Sequence, residues 1–124
     1  MVASARILRR EEGPAMGTLT YDSTMKVDFD DRLLAHLRIV IGMKLRRGES
    51  FYLTWKDDVS IGDGSSTIWL SPSIPIAFKF NGSRDVSINP RWVDVLMFAA
   101  NSSSGLRPLA EPQATDKDHH SETY

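Results

Sequence analysis

Asp30-Asp31-Arg32-Leu33-Leu34-Ala35-His36-Leu37-Arg38-Ile39-Val40-Ile41-Gly42-Met43-Lys44-Leu45-Arg46-Arg47-Gly48 is a long amphipathic segment set between strand-like stretches. Leu34, Leu37, Ile41 and Leu45 recur at spacings of three and four, and Leu33 and Val40 widen the same face, so the spacing predicts a helix that packs on a sheet. Asp30 or Asp31 is placed to accept from the free amides of its first turn. Gly48 follows Arg47 as a left-handed stop. Asp28, Asp30 and Asp31 gather before the start, and Lys44, Arg46 and Arg47 crowd the last turn. Both clusters suit the helix dipole without any ligand. Ile39 and Met43 fall off the apolar stripe, near Ala35, and are the candidates for a self-association face or a second packing layer.

Upstream of this helix, Thr18 to Tyr21 and Lys26 to Phe29 read as two short strands around an Asp22-Ser23-Thr24 turn. Downstream, Phe51 to Trp55 is a strand in which Phe51, Leu53 and Trp55 share one face, opposite Tyr52 and Thr54. Val59 and Ile61 alternate, Gly62-Asp63-Gly64 connects, and Thr67 to Leu70 resumes as strand, with Trp69 out of phase with Ile68 and Leu70. Ile74, Ile76, Phe78 and Phe80 then occupy every second position. Asn81-Gly82 predicts a type I′ hairpin that returns Val86 and Ile88 beside that face, with Pro75 marking an edge or bulge. Asn89-Pro90 opens a second helix with Trp92, Val93, Leu96, Met97 and Ala100 on its buried face, ending in Asn101 to Gly105. Leu106 and Leu109 add a short extended segment. The order ββ-α-ββββ-α predicts an α+β fold, a mainly antiparallel sheet with two helices packed on it.

The chain has 124 residues, 41% of them apolar and 25% charged, which suits one domain. Three parts are expected: a leader or disordered arm over residues 1–15, with Met16 as a second start; a single α+β domain over residues 16–110; and a disordered acidic tail over residues 111–124. The leader carries three arginines against two glutamates, and the tail one lysine against four acids; the tail also holds an adjacent His119-His120 pair read as a bystander. A formal charge of -1 is not the profile of a strong non-specific nucleic-acid binder. With no cysteine, disulfide scaffolds, thiolate metal sites and cysteine nucleophiles are excluded, and a reducing cytoplasm is the expected location. The apolar runs are too short to span a bilayer, so no membrane partner is expected.

Chemistry has few footholds. Gly62-Asp63-Gly64 lacks the third glycine and the lysine of a phosphate loop. Asp57, Asp58 and Asp63 do not match a calcium loop, and no metal or cofactor is expected. His36 is the lone histidine between residues 16 and 110 and is placed on the flank of the first helix, exposed and without a partner, so it is not assigned as a general base. No catalytic residue is assigned. Arg46, Arg47, Lys56, Lys79 and Arg84, with Tyr52 and Trp69 as stacking rings, are the candidate nucleic-acid-binding set.

Met16-Gly17 with Leu19 and Tyr21, Phe29-Asp30-Asp31, Leu34-Ala35-His36-Leu37, Lys44 to Phe51, Trp55, Ser66 to Pro75, Phe78-Lys79-Phe80 and Ala100 to Ser103 form a distinctive set. On these, residues 16–112 resemble a family of short actinobacterial proteins of unknown function that often carry the automatic label "ATP-dependent DNA ligase". The label implies a lysine nucleophile in K-x-D-G. The nearest match here is Lys56-Asp57-Asp58-Val59, with valine in place of glycine. The reading is therefore a non-catalytic interaction module, self-associating as a homodimer or binding a protein partner. The alternative is a nucleic-acid-associated accessory protein; a ligase-like enzyme is remote.

Overall fold

The computed structural model describes residues 15–57, 62, 64–82 and 86–113. Its elements are β1 (Met16–Tyr21), β2 (Met25–Asp30), α1 (Asp31–Arg46), β3 (Phe51–Lys56), β4 (Ser65–Leu70), β5 (Ile76–Lys79) and α2 (Pro90–Ala100). The fold is α+β, with every strand pair antiparallel and both helices packed on the sheets. β2, β1 and β5 form one sheet in that order, and β3 and β4 form a second. Leu106 extends the second sheet by a parallel bridge to Leu53, on the side of β3 away from β4.

Local chemistry accounts for the element ends. The Asp30 carboxylate accepts from the Arg32 amide at the start of α1, and Gly48 takes a φ of 79° just beyond its end. Asn89 does for α2 what Asp30 does for α1: its side chain accepts from the Arg91 amide, and Pro90 occupies the first helical position. Leu34, Leu37, Val40 and Ile41 of α1 enter one core with Leu19, Phe29, Leu53, Leu70, Trp92, Leu96 and Leu106, while Leu33 and Leu45 pack at its margin. Trp55 is half-buried and meets the Phe29 ring edge-on at 6.2 Å between centroids. Ile74, Ile76, Phe78 and Phe80 lie inward of Pro75, Ala77 and Lys79, as their alternation requires.

Three expectations are corrected. Asn81-Gly82 is not a hairpin turn: neither residue has positive φ, and no strand follows over residues 86–89. β5 pairs instead with β1, from Thr18↔Lys79 to Tyr21↔Ile76. The amides of Asn81 and Gly82 donate instead to the Asp31 carboxylate, Asn81 N–H to Oδ1 at 3.4 Å and Gly82 N–H to Oδ2 at 2.7 Å. The paired left-handed residues sit in the β1–β2 turn, at Asp22 (54°) and Ser23 (64°). The strand count also changes: among the described residues three strands, not four, separate the helices. Val59 and Ile61 lie outside the described residues. Finally, His36 is fully buried and doubly bonded rather than exposed and unpartnered.

Candidate interaction surfaces

The outer face of α2 is set by its inner one. Trp92, Leu96, Ala99 and Ala100 turn into the core, so Arg91, Asp94, Val95 and Phe98 are carried round to the far side. Phe98 is 82% exposed, the most solvent-facing large apolar residue described. Beside it runs a groove of about 480 Å³ whose other wall is the chain after the helix, at Ser104, Arg107 and Leu109. Gly105 makes that wall possible: its φ of 88° turns the chain, and its α-carbon approaches Tyr52 so closely that a β-carbon would stand 2.6 Å from the Tyr52 carbonyl oxygen. Leu106 then exchanges backbone bonds with β3, its N–H to the Tyr52 carbonyl at 2.9 Å and its carbonyl from Thr54 N–H at 3.0 Å.

The wall is fastened further along. Trp92 Nε1–H donates to the Leu109 carbonyl at 2.9 Å. Arg32 grips the Glu111 carboxylate with two parallel bonds of 2.9 and 2.8 Å and also donates to the Ser87 carbonyl, while Asn89 Nδ2–H donates to Glu111 at 2.7 Å. These donors, Arg32 first, hold Glu111 down to about 2, and the same pair raises Arg32. Under this junction lies His36. Its Nδ1 is 2.7 Å from the Arg32 carbonyl, which can only accept, and its Nε2 is 2.8 Å from the Asn89 N–H, which can only donate. The ring is thereby the neutral Nδ1–H tautomer. It lies against Trp92 with centroids 4.4 Å apart. Burial, ahead of every other cause, pushes its pKa below the ordinary histidine value.

A second surface is the outer face of the β3–β4 pair. Cross-strand register sets Tyr52 opposite Trp69, Thr54 opposite Thr67 and Lys56 opposite Ser65. The Tyr52 and Trp69 rings meet edge to face at 4.9 Å, each nearly half exposed, and the two threonine hydroxyls bond at 2.7 Å. A polar cleft of about 290 Å³ beside the rings takes in Lys44, Ser50, Asn101 and Ser103. Lys44 is buried there. Its ammonium donates to Asn101 at 2.6 Å, pairs with Glu49 at 3.0 Å and lies 5.3 Å from the Phe51 ring centroid. Lys44 thus joins the ends of the two helices, a role that its place in the last turn of α1 did not reveal. The lysine also pulls the Glu49 carboxyl below its usual range.

Of the nucleic-acid set, the structure brings Tyr52, Trp69 and Lys56 onto one face. Lys79 stands on the other sheet, opposite Thr18. Arg46 and Arg47 are exposed at the end of α1, with Arg47 3.9 Å from Glu49, and Arg84 lies outside the described residues. Ile39 is half-buried and Met43 is 37% exposed. Asp58 and Asp63 of the acidic loop, and the His119-His120 pair, also lie outside the described residues; among those described, no three His, Cys, Asp or Glu residues form a group suited to a metal ion. No described helix is long and apolar enough to cross a membrane.

Phe98 went unassigned in the sequence reading, and its signal was there: it falls about 200° round the wheel from Leu96, an aromatic residue opposite the buried stripe. Residues 16–111 match the family described as a domain of unknown function, DUF7882. No curated protein matches the chain, and no solved structure does.

Proposed function

We propose that this chain, a member of the DUF7882 family, is a non-catalytic interaction module of the cytoplasm that pairs with a second copy of itself through the outer face of α2. The exposure of Phe98 beside its groove carries the reading. A two-fold contact needs one face to hold both a knob and its socket, and here the ring and the groove share a face. Burying each ring contributes about 1.5–3 kcal/mol. Phe98 is a better anchor than Met43 because it leaves 82% rather than 37% of its surface in water.

Sedimentation from submicromolar to high micromolar concentration tests this. The expected result is a mass that rises from monomer to dimer, with Phe98→Asp held at monomer and its thermal unfolding matching that of the wild type at submicromolar concentration, where both are monomers. A wild-type chain that stays monomeric throughout defeats the reading.

The second reading, a nucleic-acid accessory role, draws on Tyr52, Trp69 and Lys56 sharing one open strand face. It expects single-stranded DNA or RNA to bind at low salt and to weaken as salt rises. Trp69→Ala is expected to cost about 1–3 kcal/mol of that binding, and Arg46→Glu with Arg47→Glu to weaken it further. Fluorescence anisotropy with no signal for any strand at low salt removes this reading.

A further inference from the structure

Three parts of the chain meet at His36. It belongs to α1, its Nε2 accepts the backbone N–H of Asn89 at the mouth of α2, and its ring lies on Trp92, whose own Nε1–H holds the Leu109 carbonyl. Asn89 and Arg32 together clasp Glu111. The imidazole is thus the buried hub of the contacts that keep the segment from Leu106 to Glu111 against α2, and Arg107 and Leu109 of that segment form a wall of the Phe98 groove.

We infer that His36 is a proton-operated latch on this wall: a proton taken up at Nε2 expels the Asn89 N–H, and the first turn of α2 lets go together with the segment clasped to it. The geometry leaves no gentler response. Nε2 faces an N–H donor at 2.8 Å, so a second hydrogen there points at a hydrogen. Nδ1–H is already committed to the Arg32 carbonyl, so the ring gains nothing by flipping. The ring is fully buried, and an imidazolium there has lost its water.

The charged groups around the ring are Arg32 from its own helix, which opposes the added charge, and Glu111 from the C-terminal segment, which favours it. Glu111 is already engaged by Arg32 and Asn89. From α2 the ring meets the Asn89 amide and Trp92, while Arg91 and Asp94 line the groove. Glu111 stays ionised far below the range in which a histidine titrates, so acidification in that range addresses His36 and leaves the clasp charged.

Control of the groove rests on the self-association reading; the latch itself does not, and the test separates them. Hydrogen exchange of the full chain is followed in dilute solution at about pH 7.5 and about pH 5.5, corrected for intrinsic rates. Once opened, His36 titrates near 6.5, so the opening constant at Asn89 and Trp92 should rise between the two conditions, by up to about tenfold. His36→Gln keeps a neutral acceptor and should abolish that rise. Equal protection at both conditions, or an identical rise in the Gln variant, overturns the latch. Should that variant not fold, nitrogen-15 spectra of the wild-type imidazole decide: Nε2 protonation must coincide with loss of Asn89 protection, and protonation without it overturns the latch. Sedimentation under the same two conditions reads control of the groove. Weaker pairing at about pH 5.5 supports it, and opening with unchanged pairing overturns that part alone.

Discussion

At the scale of single residues, three glycines make opposite forecasts for the same substitution. A β-carbon on Gly17 would stand 2.6 Å from Asp31 Oδ1 and 2.7 Å from the Lys79 carbonyl, and these are fixed groups, since Asp31 is buried and bound to the Gly82 amide. Gly17→Ala should therefore cost about 1–3 kcal/mol in urea unfolding. Gly105→Ala meets the Tyr52 carbonyl at 2.6 Å and also asks alanine to hold a φ of 88°, so its cost should equal or exceed that of Gly17→Ala. Gly42 is different: it lies within α1 with nothing inside 4 Å of its added carbon. Gly42→Ala should stabilise by about 0.4–1 kcal/mol. A destabilised Gly42→Ala, or a neutral Gly17→Ala, would show that these close approaches are misjudged. The sequence placed Gly42 inside a helix but gave no sign of the crowding at Gly17 and Gly105, because there the neighbours come from other elements. Asp30, Gly48 and Asn89 were legible because a cap needs only its own turn.

Among the elements, the short segment after α2 carries more than its length promised. Leu106 bonds β3, Leu109 takes the Trp92 indole, and Glu111 closes on Arg32. Glu111 sits at about 2 against an ordinary 4.5, so the folded state binds its proton less readily than the unfolded chain does. The stability this adds is complete above about pH 4.5 and is lost as pH falls toward 2. Glu111→Gln should flatten acid unfolding across that window and leave the higher window, which begins at the histidine value and extends downward, to His36. Circular dichroism against pH distinguishes the two; an unaltered acid limb in Glu111→Gln would mean the clasp contributes nothing. The strand after β4 shows the converse. Its alternation was correct, yet Asn81-Gly82 turned no hairpin: β5 pairs with β1, and both amides bond the carboxylate of Asp31, from a distant element. Turn propensity is a local preference of modest size, and a buried carboxylate that would otherwise lack partners outweighs it.

For the molecule as a whole, the α+β class, the two helices with their caps and the inward faces of the strands were determined by the sequence alone. Those features depend on periodicity and on side chains within a turn of the backbone they serve. The split of Tyr52, Trp69 and Lys56 from Lys79 was beyond its reach, because it follows from which strands share a sheet. So was the burial of His36 and Lys44. Both are polar residues on a helix whose pattern marked them as outward, and each is held inside by an acceptor or donor that another element supplies, Asn89 for the one and Asn101 for the other. The long amphipathic segment thus determined where its own apolar stripe would go. Only the tertiary structure decided the fate of the polar residues beside that stripe, since burying a polar group is favourable only once its partners have been brought to it from elsewhere in the chain.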